Sequence, residues 1–143
     1  MADGRDIMRV DGPPSRAREL VFWVVAFYGR PRNWWEVLWF KPGFRHCIAF
    51  AWIDSDRWLE FNPKLPRCEV KVLTGPQYSR RLQALDRAGA TTIKAMCAGG
   101  KRHSPRIATC AGAIAHVLGV RGALLPHGLY RALADNLARG GIS

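Results

Sequence analysis

The sequence predicts an α+β domain in which helices pack on one side of a small antiparallel sheet. Three observations lead to this expectation. The chain has 143 residues, which suits one domain, and 48% of them are hydrophobic, which is enough for a packed core. The third observation is the order of the elements, which reads helix, β-hairpin, strand, helix, strand, helix, helix.

The beginning of the chain differs in composition from the rest. Residues Met1 to Arg18 are polar and charged and contain Gly and Pro, so we expect a flexible arm that needs a partner to become ordered. Residues 19–143 are expected to form the single domain. The N-terminus lacks the features of a signal peptide, and the apolar run Leu20 to Tyr28 is too short to span a bilayer. We therefore expect no membrane span and a chain that is made and kept in the cytoplasm.

Two apolar and aromatic segments open the domain, at Glu19 to Tyr28 and at Asn33 to Phe40, with a turn signal between them. Asn33 can cap a short helix. The apolar residues at helical spacing in that helix are Trp34, Val37 and Leu38. The clustered tryptophans have two interpretations, because aromatic residues usually belong to a core but are also enriched where proteins bind partners.

A β-hairpin is predicted next, with strands at Arg45 to Ile53 and Arg57 to Asn62 and a turn at Asp54-Ser55-Asp56. Successive side chains of a strand point to opposite faces. Cys47 is therefore predicted to point away from whatever His46 contacts. One face of the second strand carries Trp58, Glu60 and Asn62.

In the rest of the chain, apolar residues recur with the spacing of helices or of strands and predict the remaining elements. Pro63 is predicted to end the hairpin ladder, because proline has no N–H to donate. A helix at Gln77 to Ala88 is predicted to face inward with Leu82 and Leu85. The other predicted elements are strands at Cys68 to Leu73 and Thr91 to Met96, a helix within Thr109 to Gly119, and a last helix at His127 to Ala138 with the stripe Leu129, Leu133 and Leu137.

The formal net charge of +11 would suit an anionic partner. Most of the positive residues are arginines spread along the whole chain, and clusters occur only at Arg80-Arg81 and at Lys101 to Arg106. No aromatic-basic motif typical of nucleic-acid recognition accompanies these clusters. Nucleic acid is therefore not expected to be the primary partner.

Cys110 stands on the first turn of a predicted amphipathic helix. The N-terminus of a helix carries partial positive charge, which stabilises a thiolate and can also hold an oxyanion. Cysteine hydrolases need a base and a group that orients this base. His46 is the candidate base, and the orienting residue is expected to be Asn62, with Glu60 as the alternative.

The other cysteines and histidines do not suggest a metal site. Metal sites need ligand pairs at close spacing, and the sequence offers only the adjacent pair His46-Cys47, on opposite faces of a strand. No Cys-x-x-Cys pair is present, so free thiols are expected. No cofactor is expected either. The histidines regarded as weaker candidates for catalysis are His103, His116 and His127.

Four motifs together resemble small bacteriophage proteins with a circularly permuted papain-like fold, related to the NlpC-type cell-wall peptidases and the lecithin:retinol acyltransferase group. The motifs are Lys41 to Cys47, Glu60 to Pro63, Thr109 to Gly119 and Leu125 to Leu133. The resemblance covers roughly residues 20 to 138. It implies Cys110 as the nucleophile, His46 as the base and Asn62 as the orienting residue, in the chain order His, Asn, Cys of the permuted branch.

Two functions are expected from these observations. The first is a cysteine amidase or peptidase that acts on cell-wall peptide and is associated with the virion tail. The second is a non-catalytic virion component that docks neighbouring subunits with the arm Met1 to Arg18 and the aromatic residues Trp34, Trp35 and Trp39. Both imply synthesis in the host cytoplasm followed by a place in the tail or the tail tip.

Overall fold

The computed structural model of the protein describes residues 20–29, 33–64, 67–97, 109–121 and 124–140. The expected arm at residues 1–18 and the basic segment at residues 101–106 lie outside the described residues. Where the structure describes the chain, it is α+β, with a five-stranded open antiparallel sheet and three α-helices. The predicted α+β class with an antiparallel sheet is thereby confirmed.

The sheet has the strand order β4-β3-β2-β1-β5, and every neighbouring pair is antiparallel. The strands are β1 Val21–Tyr28, β2 His46–Asp54, β3 Arg57–Lys64, β4 Arg67–Thr74 and β5 Thr91–Cys97. The helices are α1 Gly75–Arg87, α2 Cys110–Leu118 and α3 Pro126–Ala138. A short 3-10 helix, Glu36–Leu38, precedes β2.

Strand β1 is missing from the predicted order of elements, which contains four strands instead of five. It lies inside the sheet between β2 and β5, and its residues from Trp23 to Phe27 are all buried. A strand that is covered on both faces has a continuous apolar run and no alternation. The apolar pattern of residues 21–28 therefore did not predict β1 as a strand.

The prediction that the helices lie on one side of the sheet is wrong. Val25 and Phe27 of β1 pack in one core cluster with residues of α2 and α3. Val24 and Ala26, their neighbours in the chain, pack in a second cluster with Leu85 of α1. The sheet therefore separates α1 on one face from α2 and α3 on the other.

The predicted hairpin is present as β2 and β3. Its turn is supported by Asp54, whose carboxylate accepts a hydrogen bond from the Asp56 N–H at 3.3 Å. The prediction that Pro63 ends the ladder is wrong, because β3 continues to Lys64 and Pro63 pairs with Cys68 of β4. The β2–β3 pairing has already ended at Phe61, so Pro63 removes no hydrogen bond from it.

Helix α1 is fixed at its start by a capping box between Thr74 and Gln77, and Leu82 and Leu85 face the core as predicted. The predicted leucine stripe of α3 is only partly correct. Leu129 and Leu133 are buried, whereas Leu137 is 48% exposed in the last turn of the helix.

The predicted helix at residues 33–40 is reduced to the single 3-10 turn. Asn33 does not cap it with its side chain; its backbone carbonyl instead accepts the Glu36 N–H at 3.0 Å. The surrounding large apolar side chains are exposed, and Trp34 reaches 82% exposure. The core interpretation of these tryptophans is therefore wrong, and they form an exposed aromatic surface. This surface consists of Trp34, Trp35, Leu38 and Trp39.

Candidate active site

Helix α2 begins at Cys110 because Thr109 caps it. Thr109 has an extended backbone, and its hydroxyl accepts the Gly112 N–H at 2.9 Å. The same hydroxyl donates to the carbonyl of Leu124, which ties the start of α2 to the segment before α3. Gly119 ends the helix with a φ of 76°, in the left-handed region that glycine adopts without strain. Cys110 therefore has a fixed place in the first turn.

The packing of α2 brings Cys110 to the end of the sheet where β2 begins. Ala111 and Ile114 of α2 lie in the same core cluster as Cys47 and Ala49 of β2, and Cys110 packs against this cluster. His46 is the first residue of β2. The nucleophile and the base predicted from the sequence are thus brought together, although they lie far apart in the chain.

His46 is held by Asn62, which is 1% exposed. The Nε2 atom of His46 lies 2.9 Å from the Oδ1 atom of Asn62. Since an amide oxygen only accepts hydrogen bonds, Nε2 carries the hydrogen and donates it. This leaves Nδ1 as the ring nitrogen that serves Cys110.

The surroundings of Cys110 favour its thiolate. They lower the pKa of Cys110 from an ordinary 9.0 to about 4, first through a hydrogen bond from the Cys47 thiol and then through the hydrogen bond and charge of His46. Burial acts in the opposite direction. A thiol with this pKa is ionised at neutral pH and is therefore a nucleophile.

His46 responds in the complementary way. Burial acts to lower its pKa, but hydrogen bonds to Cys110 and Asn62 outweigh burial, and the pKa of His46 lies above its ordinary value. The two shifts together describe a thiolate–imidazolium pair. Such a pair can attack an electrophilic carbonyl carbon and return a proton to the leaving group.

The structure corrects the prediction for Cys47. The thiol of Cys47 does not point away from the site, because both this thiol and the Cys47 backbone N–H donate to the Cys110 sulfur. The bond to Cys110 and burial raise the pKa of Cys47, so it remains a neutral donor. The side chains of His46 and Cys47 still point to opposite faces of β2. Because both residues lie at the start of the strand, both side chains can contact the Cys110 sulfur, which lies beyond that end.

Glu60, the alternative orienting residue, has another partner. Its carboxylate is buried and accepts a hydrogen bond from Arg81 of α1 at 3.2 Å. Tyr28 of β1 stands beside His46, edge-on, with ring centroids 5.4 Å apart. Burial raises the pKa of Tyr28, so this hydroxyl stays protonated over the working range of the thiolate. Tyr28 is a residue of the site that the sequence did not single out, because β1 itself was missed.

The two other histidines that the structure describes, His116 and His127, have different surroundings. His127 packs edge-on against Phe44 at 5.1 Å, and burial with the nearby Lys41 and Arg131 lowers its pKa. His116 is half-buried on α2, and His103 lies outside the described residues. Across the described ranges no group of three or more His, Cys, Asp or Glu side chains is arranged to hold a metal ion.

The exposed aromatic surface is anchored next to the site. Glu36, in its 3-10 turn, is buried and forms an ion pair with Arg45 at 3.0 Å. Arg45 immediately precedes His46 in the chain. The aromatic surface and the base are therefore fixed to the same end of β2.

Comparisons of the chain with protein-family models, curated proteins and solved structures give no match. None of the helices in the described ranges has the length and hydropathy needed to cross a membrane. What the site does must therefore be inferred from its own geometry and from the motifs in the sequence.

Proposed function

We propose that the chain is a cysteine hydrolase with a circularly permuted papain-like fold. Cys110 is the nucleophile, His46 is the general acid and base, and Asn62 orients His46. The observation that carries the proposal is the position of His46, which bonds to Asn62 through Nε2 while it interacts with the Cys110 sulfur. The chain order His46, Asn62, Cys110 is that of the permuted branch which the sequence motifs resemble.

The reaction begins when the Cys110 thiolate attacks the carbonyl carbon of an amide. Negative charge develops on the carbonyl oxygen, and the N-terminus of α2 favours this charge. His46 then donates its proton to the leaving nitrogen, the C–N bond breaks, and a thioester remains on Cys110. Neutral His46 next takes a proton from water, which attacks the thioester and releases the acid.

The proposed substrate is a cell-wall peptide, and the proposed place of action is the virion tail or the tail tip after synthesis in the host cytoplasm. Both follow from the resemblance to phage proteins related to cell-wall peptidases. An amide substrate also suits the site, because a thiolate–imidazolium pair supplies both the nucleophile and the acid that a poor leaving group requires.

Trapping of the acyl-enzyme tests the proposal. The full chain is incubated with soluble cell-wall stem peptides, quenched in acid and measured by intact-mass spectrometry. We expect an adduct on Cys110 and release of amine, both absent from Cys110→Ala and retained by Cys68→Ala, a variant of an exposed cysteine. Release of amine that persists in Cys110→Ala would overturn the assignment of the nucleophile.

A second candidate function is that of a non-catalytic virion subunit, and the exposed aromatic surface favours it. Four large apolar side chains on one short turn are unusual on a protein that acts alone. They suit docking to a neighbouring subunit. The expected arm at residues 1–18, which lies outside the described residues, is proposed to contribute to the same contact.

Binding to purified tails tests the docking function. If docking is the function, Trp34→Ser together with Trp39→Ser should abolish co-sedimentation with tails. Trp52→Ser should retain it, because Trp52 is a partly exposed tryptophan on β2 outside this surface. Equal binding by all variants would exclude the aromatic surface as the docking site.

A further inference from the structure

We propose that Cys47 and Cys110 form a reversible disulfide when the chain meets hydrogen peroxide or an organic hydroperoxide, which makes the pair an oxidation site. This oxidation goes beyond the proposed hydrolysis and does not depend on it, because it involves the two thiols and a peroxide and no amide substrate. All four cysteines are free in the structure, so the pair is described in its reduced state.

The contact between the two sulfur atoms is the first observation. The Cys47 thiol donates a hydrogen bond to the Cys110 sulfur, and the backbone N–H of Cys47 donates to the same atom. Both residues belong to one packed region, since Cys110 packs on the core cluster that contains Cys47. The packing of α2 on β2 therefore holds the two thiols in the same region, next to each other.

The different exposure of the two thiols is the second observation. Cys110 is partly exposed, so a small oxidant in solution can reach it. Cys47 is 0% exposed, so its thiol is sheltered from solvent and has the Cys110 sulfur as its reaction partner. This arrangement is typical of a reactive cysteine beside a resolving cysteine.

The reaction balances without any further oxidant. The Cys110 thiolate attacks one oxygen of the peroxide, an S–O bond forms, the O–O bond breaks, and the leaving hydroxide takes the proton of His46 to become water. Cys110 is then a sulfenic acid. The Cys47 sulfur attacks the Cys110 sulfur, the S–S bond forms and the S–O bond breaks. The departing hydroxide leaves as water with the Cys47 proton, so the two sulfur atoms together have given two electrons to the peroxide.

The disulfide would protect the nucleophile. A sulfenic acid that is not resolved proceeds to sulfinic and sulfonic acids, which are not reduced by ordinary thiols. Resolution by Cys47 stores Cys110 in a form that a dithiol can reduce. Oxidised protein is therefore expected to be inactive toward any substrate that Cys110 attacks, and to recover fully after reduction.

The test uses the full chain, an equimolar amount of hydrogen peroxide, and intact-mass spectrometry followed by non-reducing peptide mapping. We expect the wild type to lose two hydrogen atoms, to yield a peptide that links Cys47 to Cys110, and to regain both thiols with dithiothreitol. Cys68→Ser is the matched control and should behave as the wild type does. A link from Cys110 to Cys97 or to Cys68, or no link, would overturn the proposal.

Cys47→Ser separates resolution from hydrogen bonding, because serine keeps an O–H donor and cannot form a disulfide. In this variant we expect a sulfenic acid that dimedone traps, followed by sulfinic acid on Cys110. Equal yields of sulfinic acid in the wild type and in Cys47→Ser would contradict the proposal. If the variant does not fold, as circular dichroism would show, the linked peptide from the wild type decides the question.

Discussion

The Oδ1 atom of Asn62 accepts a hydrogen bond from the Nε2 atom of His46 at 2.9 Å, across two neighbouring strands. Because this bond occupies Nε2, Nδ1 is the ring nitrogen left for the Cys110 sulfur, to which His46 also forms a hydrogen bond. The buried side chain of Asn62, on the neighbouring strand β3, thus sets the orientation of the imidazole. An acid–base group that is held in this way keeps the geometry needed for proton transfer.

Removal of the Asn62 amide should release the imidazole. For Asn62→Ala we expect a loss of about 1–3 kcal/mol in the free energy of unfolding, since a half-buried N–H is left without its acceptor. The pKa of Cys110 should also rise, because a loosely held imidazolium supports the thiolate less well. Urea denaturation and the pH profile of alkylation measure the two effects. Asn62→Asp keeps an acceptor, and its charge also favours the imidazolium, so the alkylation profile of Cys110 should not move to higher pH. A rise as large as that in Asn62→Ala would show that hydrogen-bond acceptance is not the role of Asn62.

The ion pair between Glu60 and Arg81 is expected to be structural. Arg81→Ala leaves the Glu60 carboxylate, whose side chain is 4% exposed, without this partner and should lower the free energy of unfolding by about 1–3 kcal/mol. Arg80→Ala, one position earlier on the exposed side of α1, should change stability little. The alkylation profile of Cys110 should stay unchanged in both variants. A shift in Arg81→Ala as large as that in Asn62→Ala would instead place Glu60 among the orienting groups.

The cap of α2 should contribute to the site as well as to stability. Thr109→Ala removes the acceptor for the Gly112 N–H and should destabilise the chain by about 0.5–2 kcal/mol. Fraying of the first turn should also move Cys110 away from His46 and raise the pKa of the thiol. Thr109→Ser keeps the hydroxyl, so it should retain both properties. Thermal unfolding and alkylation of the two variants, measured side by side, check this expectation; an equal loss in both would implicate the methyl group instead of the cap.

Stability should depend on pH through the thiolate–imidazolium pair. The thiolate contributes fully above the ordinary thiol pKa of 9.0, and this contribution is lost as the pH falls to about 4. The imidazolium contributes fully below 6.5, and this contribution is lost as the pH rises through the raised pKa of His46. Between about pH 4 and pH 6.5 the unfolded chain holds one more proton at these two groups, so the free energy of unfolding rises with pH. Above 6.5 the two terms offset each other until His46 loses its proton.

Urea denaturation of the wild type and of Cys110→Ser at a series of pH values isolates this effect. The difference between the two free energies of unfolding should increase from about pH 4 to pH 6.5 and then level off. A difference that stays constant over this interval would contradict the charged pair.

The sequence predicted more of the candidate site than of the fold. The position of Cys110 in the first turn of a helix, the hairpin with Asp54 in its turn, and the alternation that places Glu60 and Asn62 on one face are all local patterns, and the structure contains each of them. The contact between His46 and Cys110 joins residues far apart in the chain, so no local pattern predicts it. The prediction of this contact rested on the resemblance of four motifs to a known arrangement, and the contact itself results from the packing of α2 on the sheet.

What the sequence missed has physical reasons. The apolar run of β1 carries no periodicity, because both faces of this central strand are covered. The inward leucines of α1 show that the helix has a buried side, but not which face of the sheet it covers. The prediction that Cys47 points away from the partner of His46 was wrong. Alternation gives the direction of each side chain, but it does not show that the Cys110 sulfur lies beyond the end of β2, within reach of both residues.

The pH dependence of Cys110 alkylation tests the central claim most directly. The full chain is treated with iodoacetamide across a pH series, and the rate at each cysteine is measured by peptide mass spectrometry. The midpoint of the profile is more informative than the rate, because the nucleophilicity of a thiolate falls together with its pKa. We predict a midpoint near pH 4 for Cys110 in the wild type and a shift toward 9.0 in His46→Ala. A Cys110 profile with its midpoint near 9.0 in the wild type would contradict the thiolate–imidazolium pair and the proposed hydrolase.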